Sequence, residues 1–542
     1  MGIKRLLRQV FLGPPADRAD GFHADDLEGW LDTLTPDNPA ATARALLGQA
    51  QRVRGEDLRP GARLEMLELL RDKAEATVAS VEEQLRRVAV PLPPAQIQAC
   101  SASQDLLAEL GASYLAAAEA ARGGTRRSSA AHLRAAVSAG LELALRSQRL
   151  AYRVYAPAPD SAWLQMHRLY AIAQERGFAR LQVQGQEATP EEIYLRSLLL
   201  AFAQPGKFAP GDLDQVRFYV DRYAHLASLD PIELAARSRN DKSRFLVRPG
   251  EARPGWPLRR RGEVTPRKGD LILVCGPLVQ HLQTQLDGLK KRMSPAKLGL
   301  PRSADRPQYF LMLRSLAALW GTPPSRRFPR ALFHPRVEVV AGFDALWSFI
   351  GQAAFQRRSD DPKSSAAHLP AATTWAVLNE SADGFALRHL SGSPADLQVG
   401  EIAAIRPRDA ATLHVTAVRR ASVISARLEL GVQVISSQPN TAMIALPVAE
   451  PGEPKRQRLA RAIFLPKLPG SGGVPGLLVK PESTAVGSEF AVPYQGRMTL
   501  MRVAGIAEHY ASCELYLLEP IGASARDEEI PQAASRAYSV ST

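Results

Sequence analysis

The hydrophobic period changes along this 542-residue chain, and that change limits the architectures open to it. From about residue 24 to 232 apolar side chains recur at helical spacing, as at Leu64, Leu67, Leu70 and Ala74. From Trp375 onward they alternate, as at Leu428, Leu430, Val432 and Val434. A period of 3.6 buries one face of a helix and a period of two buries one face of a strand, so neither segment can take the other's form. The pattern predicts a multidomain α + β protein. Its parts are an all-helical domain over 1–232, a mixed α/β connecting region over 233–322 and a small antiparallel β-barrel over 323–440. A further C-terminal β extension or second small barrel follows over 441–522, and a polar tail expected to be disordered over 523–542.

Composition narrows the class. Apolar residues make up 45% and charged residues 23%, with no run long enough to cross a bilayer, and the N-terminus lacks the unbroken apolar stretch of a secretory signal; a cytoplasmic protein with no membrane span is expected. Cys100, Cys275 and Cys513 are far apart and form no CxxC pair, so they are expected as small buried residues rather than disulfide or zinc partners. A net charge of +13 favours an anionic partner.

Within the helical half, Asp25-Asp26-Leu27-Glu28 reads as a helix start, Gly123-Gly124 as a break, and Asp160 or Ser161 as a cap. Thr189-Pro190-Glu191-Glu192 is the clearest start signal, with a capping Thr, Pro at the first helical position and two acids after it. Trp163, Tyr170 and Tyr194 suit either a bundle core or a peptide groove. In the connecting region the arginine-rich run Arg253–Lys268 reads as a solvated loop. Asp270–Pro277 reads as a buried strand leading into a helix through Leu278, Leu282, Leu286 and Leu289, with too few glycines for a dinucleotide turn.

Signatures of enzymes are thin. There is no Walker A motif, His-Glu-x-x-His or nucleophile elbow, and Ser294-Pro295-Ala296-Lys297 lacks the companion elements of acyl-transferring enzymes, so no enzymatic activity is expected.

Two short signatures carry the chemistry. Arg326-Arg327-Phe328-Pro329-Arg330 places arginines four apart in a proline-rich segment that is expected as a loop entering a strand. Asn379-Glu380-Ser381-Ala382-Asp383-Gly384 is a polar turn between alternating strands. Guanidinium groups can neutralise phosphate, stack on a base or bind guanine bidentately; Asn and Ser add short polar contacts, and Gly permits the turn.

Both signatures, in this order, resemble those of the PilZ family of cyclic di-GMP receptors, which are six-stranded β-barrels. The first matches that family's Arg-x-x-x-Arg motif and the second its Asp/Asn-x-Ser-x-x-Gly motif. Gly400-Glu401-Ile402, Val418-Arg419-Arg420 and Leu430–Val434 are similar to its later strands. The resemblance covers about 323–440, and the helical half is similar to that of larger bacterial proteins carrying such a domain near the C-terminus. It implies cyclic di-GMP as ligand and no cofactor, with Arg326, Arg327, Arg330, Asn379, Ser381 and Gly384 as binding residues. The interval between the motifs is longer than in the family and holds a helical stretch, Phe343–Phe355, and a polar run, Arg357–Ser365, which could cover the site.

The expected function is therefore a cyclic di-GMP effector that couples ligand binding at the barrel to an unidentified protein partner through the helical half. The alternative is a ligand-free protein-interaction scaffold with a degenerate barrel. The Arg253–Lys268 run has Trp256 as its one aromatic, so specific nucleic-acid binding is not expected.

Overall fold

A computed structural model describes residues 23–35, 37–86, 91–124, 127–182, 187–232, 243–258, 265, 267–322, 335–356, 372–381, 383–394, 397–407, 412–448, 456–494 and 497–521. The chain divides into two compact units, with the boundary between residues 325 and 326. The expected tail at 523–542 lies outside the described residues.

Among the described residues the first unit opens with eight α-helices: α1 (Ala24–Asp32), α2 (Pro39–Gly55), α3 (Pro60–Leu85), α4 (Pro94–Arg122), α5 (Arg127–Arg153), α6 (Asp160–Glu175), α7 (Pro190–Phe202) and α8 (Pro210–Tyr223). Start signals act as the sequence implies at α7. Thr189 Oγ1 accepts from the Glu192 N–H at 3.2 Å and Glu192 Oε2 accepts from the Thr189 N–H at 2.8 Å, a complete capping box. At α6 neither expected cap forms: Pro159 holds the N-cap position without a side-chain bond, and Asp160 is the first helical residue. Trp163, Tyr170 and Tyr194 are 3% exposed or less, and the Tyr170 and Tyr194 rings stack 4.2 Å apart. They are core, which removes the groove reading.

After α8 come strands β1 (Ser228–Pro231), β2 (Arg244–Val247), β3 (Trp256–Pro257) and β4 (Leu271–Val274), then α9 (Gly276–Lys290) and α10 (Pro307–Gly321). The strands form an antiparallel sheet in the order β1-β4-β2-β3. A nucleotide-binding crossover needs parallel strands, so the strand-and-helix pattern at 270–290 serves packing. One continuous core runs from Leu27 to Trp320, and α9 contributes Leu278, Leu282 and Leu286 to it. Cys100 and Cys275 are buried there as small apolar residues.

Among its described residues the second unit holds two β structures and one α-helix. Strands β5 (Arg336–Ala341), β6 (Thr373–Ser381), β7 (Gly384–Ser391), β8 (Ile402–Pro407), β9 (His414–Ile424) and β10 (Arg427–Ser436) close into a six-stranded antiparallel barrel in the order β10-β7-β6-β5-β8-β9. Closure leaves this sheet no unpaired edge. A second sheet follows: β11 (Asn440–Val448), β12 (Arg456–Leu465), β13 (Gly476–Val479), β14 (Glu489–Tyr494), β15 (Arg497–His509) and β16 (Glu514–Pro520), ordered β11-β12-β13-β16-β15-β14. It has its own core, around Phe464, Phe490, Met501 and Tyr516.

The expected helix between the motifs forms as α11 (Phe343–Gln356). Phe343, Leu346, Phe349 and Ile350 pack with Val340, Ile402, Ala404 and Val415 of the barrel and with Ile463, Leu478 and Leu515 of the second sheet. The helix therefore mortars the two β structures together along β5 and β8. On that side Ile402–Ile405 and Val415–Val418 are buried on both strand faces. The outer surface of β6, β7 and β10 lies around the other side of the barrel.

Candidate functional site

Asn379 and Ser381 end β6, and Gly384 begins β7. An irregularity between Val377 and Asn379 shifts the register, so that Asn379 pairs with Ala386 and Ser381 with Gly384. Directly paired residues share a face of an antiparallel sheet. Phe385 and Leu387 belong to the inner face, where Leu387 is fully buried, so Asn379, Ser381 and Gly384 belong to the outer one.

Gly384 is fixed by close approach of backbone. A Cβ built on it would sit 1.9 Å from the Val432 carbonyl oxygen and 3.0 Å from Gln433 Cα, a space no other residue fits. The turn is further tied to β10 by the Val434 N–H, which donates to the Asp383 carbonyl at 2.9 Å. Ser381 Oγ donates to the Gly384 carbonyl at 3.2 Å. This is a long bond for a hydroxyl, and it leaves the oxygen's lone pairs able to accept.

Register extends the same outer surface across two more strands. Ala386 pairs with Gly431 of β10, and Gly431 with Arg420 of β9; Gly384 pairs with Gln433. A bulge opposite Gly431 and Val432 inserts an extra residue in β9, so Arg419 and Arg420 are both solvent-accessible while Val418 and Ala421 are buried. The result is a floor of Gly384, Ala386 and Gly431, bordered by Asn379 and Ser381 on one side and by Gln433 and Arg420 on the other. Small residues leave room for a flat ligand there, and the border supplies donors and acceptors.

The two bulge arginines differ. Arg419 is committed: its guanidinium binds both carboxylate oxygens of Glu508 in β15, its Nε donates to Gln433 Oε1 at 2.9 Å, and it lies 5.8 Å from the Tyr510 ring centroid. Arg420 is exposed on the outer face. Nearby, His414 meets Phe385 edge-on at 5.5 Å and Ser437 Oγ at 2.9 Å; burial holds its imidazole below the ordinary value against the opposite pull of Glu380.

Arg326, Arg327 and Arg330 lie outside the described residues. The first described residue after them, Pro335, accepts at its carbonyl from the Val377 N–H at 3.0 Å, and Arg336 pairs with Ala376. The chain therefore joins the barrel at the end of β6 that carries Asn379 and Ser381. The helical part of the interval between the motifs packs on β5 and β8 instead of covering the β6–β7 turn, and its polar run Arg357–Ser365 is also outside the described residues.

Arg420 and Gln433 were not singled out from the sequence. The available signal was Gly431 within an otherwise alternating strand, opposite a doubled arginine, which is where a bulge is to be looked for.

Comparison with known proteins gives two findings. The family model described as the N-terminal domain of the cyclic-di-GMP receptor FimW matches residues 25–234. The cyclic-di-GMP receptor FimW of Pseudomonas aeruginosa is 26% identical over 340 residues, which are 60% of this chain and 53% of that protein. The match thus spans about half the length of that relative.

Proposed function

We propose that this protein is a non-enzymatic cyclic di-GMP effector whose ligand binds the outer face of a PilZ-like barrel. The observation that carries this reading is the placement of the β6–β7 turn. Asn379, Ser381 and Gly384 stand on the outer surface, at the barrel end where the chain enters after the arginine motif. Arg330 is five residues before Pro335, and a fully extended chain of that length spans at most about 18 Å. The similarity to a protein named as a cyclic-di-GMP receptor supports the ligand, and the match of residues 25–234 supports a helical half that works with it.

In this reading Arg326 and Arg330 grip phosphate and the guanine edge bidentately, with Arg327 beside them. Asn379 and Ser381 hold the ligand's polar edge, and Gly384 keeps the floor low. Ligand engagement by the arginine loop then changes what the helical half presents to a protein partner.

Calorimetric titration of the full chain with cyclic di-GMP tests this. The intact protein should bind saturably. Arg326→Ala with Arg330→Ala should abolish binding, and Ser381→Ala should weaken it about 10-fold, the scale of one hydrogen bond to a charged group. Absence of binding by the intact protein would leave the ligand-free scaffold as the reading; unchanged affinity in the arginine variant would sink the site.

A further inference from the structure

The helical unit carries a cluster of guanidinium groups that the barrel site does not use. Arg146, Arg149 and Arg153 are spaced three and four apart on α5, which brings them to one side of that helix. Three carboxylates link them to Arg196 of α7 and Arg217 of α8. Glu82 lies 3.0 Å from Arg146 and 4.0 Å from Arg217. Asp214 binds Arg153 and lies 3.7 Å from Arg217. Asp221 binds Arg149 and lies 3.8 Å from Arg196.

Five guanidiniums thus share these three carboxylates, with Glu142 a fourth negative charge acting on Arg196 and the Asp221 carbonyl accepting from Arg196 at 3.2 Å, in a half-buried setting where Arg153 is 4% exposed and Arg149 17%. The pairing is incomplete at the level of single donors too. The Nε groups of Arg146, Arg149, Arg153 and Arg196 are buried and have no hydrogen-bond partner among the described residues. Lost hydration first, then repulsion from Arg149 and Arg153, pushes the Arg217 pKa down to about 10 against the opposite pull of Glu82 and Asp214. Farther along α3 and α5 the balance reverses, with Arg71 among Glu68, Glu75 and Glu142. Charge is therefore polarised along this face.

Buried charge without a counterion is costly, so a network that served stability alone would be expected to pair its members more evenly. Planar forks arriving from three helices suit tetrahedral oxyanions, each of which offers several acceptors. We propose that the α5–α7–α8 cluster is a binding site for a small ligand carrying two negative charges on phosphate groups.

Titration of the full chain with pyrophosphate at constant ionic strength tests this. Saturable binding is expected in the wild type. Arg149→Gln with Arg217→Gln should weaken it at least ~10-fold, while Ser381→Ala in the barrel turn should leave it unchanged. Because the double variant strips partners from Asp214 and Asp221, Arg196→Lys is the second variant; it keeps the charge, loses the fork, and should weaken binding with the melting midpoint held. A tighter fit for guanosine diphosphate would identify a nucleotide site and an equal fit a site for phosphate alone, and both support the proposal. No saturable binding by the wild type, equal affinity in the arginine variants, or loss of binding in Ser381→Ala would overturn it.

Discussion

Gly384 shows how tightly a single residue can be specified. Its absent side chain lets the Val432 carbonyl approach, so Gly384→Ala must push β10 away from β7. A loss of about 3 kcal/mol is expected, at the upper end of overpacking costs, and should appear as a lowered midpoint in urea. A midpoint within experimental error of wild type would show that β10 yields easily. His167 is a different case, buried with both ring nitrogens engaged, Nδ1 2.6 Å from Tyr194 Oη and Nε2 3.0 Å from the Arg253 carbonyl. A carbonyl can only accept, so Nε2 carries the proton and Nδ1 accepts from the tyrosine. Burial lowers its pKa from the ordinary 6.5. The unfolded chain then takes up the proton first, and stability is lost as pH falls below about 6.5. Glu68 and Glu142, whose pKa values burial raises, titrate with the opposite sign, so the comparison to make is with His167→Gln. The variant should lose less stability than the wild type between pH 7 and 5.5; parallel curves would exclude the histidine as the source. Of the residue-scale features, the glycine at 384 was legible in the sequence but its reason was not: the motif implied conformational freedom for the turn, whereas Gly384 has no positive φ and is required by the approach of the Val432 carbonyl. The neutral His167 was not legible, since both its partners are remote in the chain.

At the scale of elements, the local signal holds at α7 and fails at α6, where Pro159 takes the N-cap position. The capping box at Thr189 is encoded in four adjacent residues, and it forms. Thr189→Ala should cost about 1 kcal/mol, measured as a lower melting midpoint, and Thr189→Asp should restore most of it. Failure of the aspartate to recover stability would mean that the threonine methyl, not the cap, matters. Strand β11 was not picked out from the sequence, because Pro439 precedes it and Pro447 interrupts its alternation. It is an edge strand, where a missing N–H is tolerated. The bulge at Arg419 and Arg420 has only an indirect trace in the sequence, Gly431 within an alternating strand, because the bulge itself exists in the pairing of β9 with β10. Half of the candidate site is thus written in one turn, and the bordering half in a register that no single strand contains.

For the molecule as a whole, the two β structures of the second unit share a core, with α11 at its centre. Phe349 is 1% exposed there, and the Arg406 guanidinium lies 4.7 Å from its ring centroid. Phe349→Ala should cost about 3–5 kcal/mol. Because barrel and second sheet both line the cavity it would leave, they should melt together in one transition, followed by near-ultraviolet dichroism. A barrel signal that persists after the second sheet has melted would refute a shared core.

The position of α11 bears also on how such a barrel can be inherited. The helix is encoded inside the barrel, between the two halves of the candidate site, yet much of what it packs against is encoded after the barrel ends. A genetic exchange that moved residues 323–440 alone would carry a barrel with a bare apolar flank around Phe343, Leu346 and Phe349. The heritable module is therefore the stretch through residue 521, and lineages that exchange this barrel intact should exchange its second sheet with it.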